Sequence, residues 1–353
     1  MRSTFAVTVA LLVTTALVGG VAGVAGAQST TTTAEHCEFP VEMTDATGET
    51  VTLEEPPERI TTTNPSAAQV LWEIGAQDRV VGVTQFAMYL DGAEEKTDVS
   101  ADFGVDVEKV VDTDPDLVLA PNASSEAVEP LREAGVTVYH FNAATSIDDV
   151  AEKTEITGEL IGNCEEAAET NEWMHDEVAD AQERVDGLEN PTALRPLDAG
   201  EFNGFVAAEG TFIHDMMTVA GTQNVATGYD QPYPQVSAED IIEADPEVLI
   251  VEDPDDPLFD EEPYAGLTAV QEENYVVIET HWVNQPAPRS VVETTGSIAD
   301  GVVEYNEQLE TETPTPTAEP DEAEDDTDDA APGFGVVAAL VATLGAALLA
   351  RRD

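Results

Sequence analysis

Asp106-Val-Glu-Lys-Val-Val-Asp-Thr-Asp-Pro-Asp-Leu-Val-Leu-Ala120 and Ser237-Ala-Glu-Asp-Ile-Ile-Glu-Ala-Asp-Pro-Glu-Val-Leu-Ile-Val251 align position by position at an offset of 131. A stretch written twice implies one supersecondary unit built twice. In each copy a capping residue (Asp106, Ser237) opens a short helix and Asp-Pro ends it before an apolar run that reads as a buried strand. The β-branched pairs Val110-Val111 and Ile241-Ile242 are expected to face inward.

A second echo precedes each copy. Ala67 to Ile74, closed by Gly75, and Phe212 to Ala220, closed by Gly221, read as amphipathic helices ending at a residue that turns left-handed without steric cost. Both halves thus run helix, turn, strand, loop, helix, strand. Between them lies one long helical stretch from Ser146 through Cys164 to about Asp186, with a capping box at Ser146 and Asp149. The class is α/β: two similar, Rossmann-like lobes joined by one long α-helix, with a ligand cleft between lobes where the strand carboxyl ends converge. The divisions are an N-terminal lobe over 38–145, a connecting helical region over 146–190 and a C-terminal lobe over 191–309.

The charge narrows function. Twelve Lys and Arg face 73 Asp and Glu, a formal charge of -61, which excludes a phosphate backbone as partner. The acids are scattered through ordinary apolar periodicity, which points to a folded protein solvated in molar salt, as in a halophile.

The two ends read as an export signal and an anchor. Arg2, an apolar run from Phe5 to Val18 and Ala25-Gly26-Ala27 form a signal peptide over 1–27, followed by a polar spacer over 28–37. No twin-Arg pair precedes the apolar run, and Cys37, after Ala34-Glu35-His36, lacks a lipoprotein cysteine's setting. A Thr/Pro-rich acidic stalk over 310–331 leads to a membrane anchor or sorting signal over 332–353, its apolar segment Phe334–Ala350 stopped by Arg351-Arg352. Pro332-Gly333-Phe334-Gly335, with the apolar run and basic end, resembles the PGF tripartite C-terminal sorting signal of haloarchaeal surface proteins. That resemblance implies a tail cut off and replaced by lipid. The chain is expected at the extracellular face of the cell membrane. There the two cysteines, Cys37 and Cys164, would oxidise to a disulfide contributing roughly 4 kcal/mol by loop closure, the alternative being two free buried thiols. Asn122 to Ser124 is an N-glycosylation sequon.

The order of the lobes resembles the helical-backbone class of ABC-importer substrate-binding proteins, those for cobalamin, ferric siderophores and haem, over nearly all of 38–309. The resemblance rests on Pro57-Glu58-Arg59-Ile60 before Pro65-Ser66-Ala67, on Arg79-Val-Val-Gly-Val83, on Pro232-Tyr-Pro-Gln-Val-Ser-Ala-Glu-Asp240 and on Trp282 to Pro288-Arg289. It implies a non-enzymatic protein without cofactor, acting as a monomer, that captures a corrinoid or iron chelate and delivers it to permease and ATPase subunits. It carries permease docking onto Glu108 and Glu239, one repeat position in two copies; as acids in a helix's first turn they also favour the dipole by about 0.3 to 1 kcal/mol. Ligand contact is expected from Phe86, Tyr89 and Phe103 on one lobe and Tyr233, Trp282 and Arg289 on the other, because flat rigid rings suit a macrocycle face. The Pro-Tyr-Pro run is most similar to the cobalamin branch. Two positions depart from it: Pro121 stands where that branch has tryptophan, and His281 where it has an acid.

Other classes are open on sequence. A Zn or Mn binding protein of the same architecture would use His140, His214 and His281, although three ligands without paired spacing define no metal motif. A chelatase-like enzyme would share the lobes, but no nucleophile elbow, phosphate loop or zinc-protease helix occurs. A layer protein or adhesin would repeat small β modules instead.

Overall fold

The computed structural model describes residues 37–197 and 201–312; the signal peptide, most of the spacer, nearly all of the stalk and the anchor read from the sequence lie outside them. An antiparallel hairpin of β1 (Val41–Thr44) and β2 (Thr50–Leu53) leads into the first lobe. There β3 (Ile60–Thr62), α1 (Pro65–Glu73), β4 (Val80–Val83), β5 (Thr97–Asp98), α2 (Val107–Asp112), β6 (Leu117–Ala120), α3 (Ser125–Glu133) and β7 (Val138–His140) form a parallel sheet of order β5-β4-β3-β6-β7. Helices α4 (Ile147–Ile161) and α5 (Cys164–Val185) follow. The second lobe holds β8 (Thr192–Leu194), α6 (Phe212–Val219), β9 (Gln223–Asn224), α7 (Ala238–Ala244), β10 (Val248–Val251), α8 (Thr268–Gln271), β11 (Tyr275–Val277) and α9 (Thr280–Val283), its parallel strands ordered β9-β8-β10-β11. Helix α10 (Pro288–Glu312) closes the described chain.

The two sheets share one topology. Strands β4-β3-β6-β7 correspond to β9-β8-β10-β11, so in each lobe the chain starts at an inner strand, winds one way, then crosses to the other side. That reversal opens a crevice beyond the strand carboxyl ends. The repeat folds as its chemistry dictates. Asp106 accepts hydrogen bonds from the N–H groups of Glu108 and Lys109 to cap α2, and Ser237 makes a full capping box with Asp240 at α7. Both helices stop at the aspartate before proline, and Asp114 (φ 48°) and Asp245 (φ 37°) turn left-handed at the same repeat position. Only the first member of each β-branched pair is buried: Val110 and Ile241 enter the core, whereas Val111 and Ile242 are exposed. Successive helical residues diverge by about 100°, so a single-turn contact cannot bury both, which corrects the inward-facing reading.

The connection is a helical hairpin and not one helix. Gly162, left-handed at φ 78°, ends α4, and after Asn163 the chain reverses into α5. A Cβ at Gly158 would lie 2.6 Å from the Ala167 methyl, so glycine lets the two helices pack tightly beside the turn. Ser146 caps α4 through the Asp149 N–H, but the Asp149 carboxylate accepts from Thr145, leaving half of the expected capping box. Helix α4 buries Ile147 and Val150 in the core of the second lobe and Leu160 and Ile161 in that of the first; α5 returns the other way, from Ala167 to Val185. Two antiparallel helices thus span both cores. At the hairpin's turn Cys164 is disulfide-bonded to Cys37, with Cα atoms 6.0 Å apart.

Candidate ligand-binding cleft

A cavity of about 430 Å³ opens where the strand carboxyl ends of the two lobes face each other. From the first lobe come Asn64 after β3, Pro121 and Asn122 after β6 and Asn142 after β7. From the second come Phe212 at the start of α6, Tyr233 between β9 and α7, and Asn284 after α9. Local backbone bonds hold these loops. Asn64 caps α1 by accepting from the Ser66 N–H at 2.9 Å, and the Ser124 hydroxyl donates to the Thr63 carbonyl at 3.1 Å, fixing the turn that carries Asn122. The Pro-Tyr-Pro loop lies against the segment after β8: Ala208 N–H donates to the Pro232 carbonyl at 2.9 Å and Val206 N–H to the Pro234 carbonyl at 3.2 Å, so Tyr233 is presented from a braced loop.

Two residues that organise the cleft were not singled out in the sequence. Glu252 sits directly after β10, the repeat counterpart of Pro121. It accepts from Arg195 at 2.5 Å, Thr280 at 2.5 Å and Asn284 at 3.0 Å, joining the ends of β8 and β10 to α9. Burial pushes its carboxyl up, but the Thr280 bond, the attraction of Arg195 and the Asn284 bond outweigh that and hold it below the usual carboxylate range. The second is Lys153, buried on α4, whose Nζ lies 2.8 Å from Ser66 Oγ and 3.3 Å from the Pro286 carbonyl. Burial alone lowers its ammonium to about 7. A signal existed: Lys153 is one of three lysines in an intensely acidic chain.

The expected ligand residues fall in three places. Tyr233 lines the cavity. Tyr89 and Trp282 meet each other edge-on with centroids 5.6 Å apart, and His281 stacks on Tyr89 at 4.5 Å, a cluster joining the loop after β4 to α9. Phe86 (66% exposed) and Phe103 (96% exposed) stand on loops after β4 and β5, at the same strand edge as the cavity but outside its lining. Arg289 pairs with Glu73 and lies over Trp173 at 5.2 Å. Glu108 and Glu239 are exposed in the first turns of α2 and α7. Each of these helices precedes a parallel strand, so its N-terminus lies at the carboxyl edge that bears the cleft. The three histidines are dispersed: His140 Nδ1 faces the Ala120 carbonyl at 2.9 Å, His214 Nδ1 faces Asn224 at 3.2 Å, and His281 Nε2 faces Glu279 at 3.0 Å. Among the described residues no three His, Cys, Asp or Glu stand together as a metal site would require.

Comparison with known proteins agrees with this geometry. The periplasmic binding protein family model matches residues 60–280. The chain belongs to that family. Residues 331–352 match the PGF-CTERM motif. This binding protein is 41% identical over 366 residues to the cobalamin-binding protein of Halobacterium salinarum, covering 97% of this chain and 98% of the relative. It is 25% identical to the vitamin B12-binding protein of Vibrio parahaemolyticus, over 67% of this chain and 86% of that one. Among solved structures, the periplasmic vitamin B12 binding protein of Vibrio cholerae superposes with a TM-score of 0.61 at 22% identity, covering 70% of this chain and 98% of that chain. The periplasmic heme-binding protein of Roseiflexus does so at 0.62 and 21%, covering 69% and 99%. These likenesses are of fold. Among the described residues no helix is long and apolar enough to cross a membrane.

Proposed function

We propose that this chain is the substrate-binding protein of an ABC importer at the extracellular face of the membrane, and that its ligand is a corrinoid of the cobalamin class. The observation that carries the reading is the inter-lobe cavity with Tyr233 on its wall, in a chain that matches a named cobalamin-binding protein along almost its whole length. A braced aromatic beside asparagine amides offers a macrocycle one apolar face and several orienting hydrogen bonds. Phe86 and Phe103 extend the apolar surface on the exposed rim, and the Tyr89–Trp282 cluster sets the spacing of the lobes. The lobes are taken as 38–145 and 191–309 with 146–190 between them, acting as one monomer. Glu108 and Glu239 dock the loaded protein on the permease, whose ATPase subunits drive uptake. Export by the signal peptide and anchoring through the PGF-type tail keep the protein beside its permease.

Titration of tryptophan fluorescence in molar KCl with cobalamin, cobinamide, haem and ferric hydroxamates tests the ligand. Saturable quenching by corrinoids, tighter than by the others, is expected. Response to haem or hydroxamates alone would reassign the cargo, and response to none would remove the reading.

A further inference from the structure

Among the described residues Lys153 is the only Lys or Arg that lines the inter-lobe cavity, and it also lines a neighbouring cavity of about 170 Å³ walled by Phe141 and the start of α4. The two cavities meet at Lys153 and at the Asn142–Ala144 segment. Its ammonium carries three N–H donors; Ser66 Oγ and the Pro286 carbonyl accept two, and no ion pair with a carboxylate is present among the described residues. In a chain with 73 acids, a buried cation left without a carboxylate is costly unless something else supplies the charge. A second positive feature points to the same spot. Asn64 and Ser66, which line the cavity, open the nine-residue helix α1, whose N-terminus carries the positive end of its dipole and has no acid in its first turn.

We infer that Lys153 and the N-terminus of α1 form a subsite for an anionic group carried by the ligand, a phosphodiester or a carboxylate, at the floor of the cleft. The inference rests on the cleft being the ligand site. It makes the subsite a specificity element: a corrinoid bearing a phosphodiester gains a charge-assisted contact that one lacking it does not. Other titratable groups lining the two cavities are Asp149 and Glu152 on the same helix, Tyr139 and His140 from β7, and Tyr233 from the opposite lobe. Asp149 is engaged by the Thr145 N–H and hydroxyl, both at 2.7 Å.

The test compares cyanocobalamin, which carries a phosphodiester, dicyanocobinamide, which lacks it, and haem, which carries carboxylates, against wild type and Lys153→Met in molar KCl. Lys153→Met is expected to weaken cyanocobalamin binding about tenfold or more beyond whatever it costs cobinamide binding. Loss of haem affinity together with cyanocobalamin would show that any such anion suffices; loss of cyanocobalamin affinity alone would assign the subsite to the phosphodiester. Wild-type affinity for cyanocobalamin should fall as pH rises through about 7, because the lysine then loses the charge that the anion needs, while cobinamide affinity stays level. That comparison needs no variant, so a folding defect in Lys153→Met cannot mask the result. Equal losses for both corrinoids, or parallel pH profiles, would overturn the subsite while leaving corrinoid binding intact. Failure of wild type to bind either corrinoid would instead overturn the proposed function.

Discussion

Arg289 clasps Glu73 through two parallel hydrogen bonds, Nε to Oε1 at 2.7 Å and Nη2 to Oε2 at 2.9 Å. The pair joins the first turn of α10 to the last residue of α1, and Ser290 adds a bond of 2.9 Å to Gln69. With the α4–α5 hairpin and the Tyr89–Trp282 cluster, this gives the lobes three separate braces. Little hinge motion on loading is therefore expected, since closure would have to break packed and hydrogen-bonded contacts together.

Arg289→Ala should lower stability by about 1 to 2 kcal/mol in chemical denaturation, a modest figure because the arginine is partly exposed to water. Arg289→Lys should recover only part of it, because an ammonium cannot reproduce the two-pronged geometry. Equal stability of the Arg289→Lys variant and the wild-type protein would show that charge alone matters.

Asp45 offers a second measurement. Its buried carboxylate pairs with Arg132 and accepts from Thr47 N–H at 2.8 Å, Thr47 hydroxyl at 2.6 Å, Glu49 N–H at 3.2 Å and His140 N–H at 3.1 Å. Burial pushes the acid up, but these bonds prevail and its pKa lies below the ordinary 3.8. The unfolded chain therefore takes up the proton first, so the stabilisation is complete above the ordinary value and is lost as pH falls through the folded one. Asp45→Ala should cost about 3 kcal/mol at neutral pH, by leaving Arg132 and four donors without their acceptor, and the cost should shrink toward strongly acidic pH.

Lys153 predicts a dependence of opposite sign. Its pKa drops from 10.5 to about 7 on folding, so between those values the unfolded chain holds a proton that the folded chain lacks, and stability rises with pH. Ligand-free protein should gain up to about 1.4 kcal/mol per pH unit just above neutrality, read from denaturation midpoints. In Lys153→Met that slope should vanish; a slope surviving unchanged would place the titration elsewhere.

For docking, Glu108→Ala combined with Glu239→Ala should leave corrinoid affinity unchanged and abolish uptake by cells or by vesicles holding the permease. Both carboxylates are exposed and neither lines the cavity, so a change in affinity is not expected. In molar salt exposed charges are screened within about 3 Å, so the contact acts at hydrogen-bonding range. Wild-type uptake by the double variant would remove the docking role.

What the amino-acid order determined by itself is whatever depends on neighbours in the chain. The duplicated Asp-Pro segment, its capping residues, the glycine-closed helices and the apolar strands are all local, because capping, left-handed turns and side-chain periodicity act over a few residues. Two of the local readings still failed, and for a reason. Val111 and Ile242 face water because a short helix buries one stripe, and the connector reversed at Gly162 because a left-handed glycine ends a helix even when apolar spacing continues past it. Tertiary structure alone decided the partnerships: Glu252 tying the ends of β8 and β10 to α9, Asp45 answering Arg132, and Lys153 drawn into a cleft in a protein otherwise covered in acid. Such contacts bring together residues tens to hundreds of positions apart, and whether a charge is buried and what it faces depend on the packing of both lobes, which no pattern along the chain encodes.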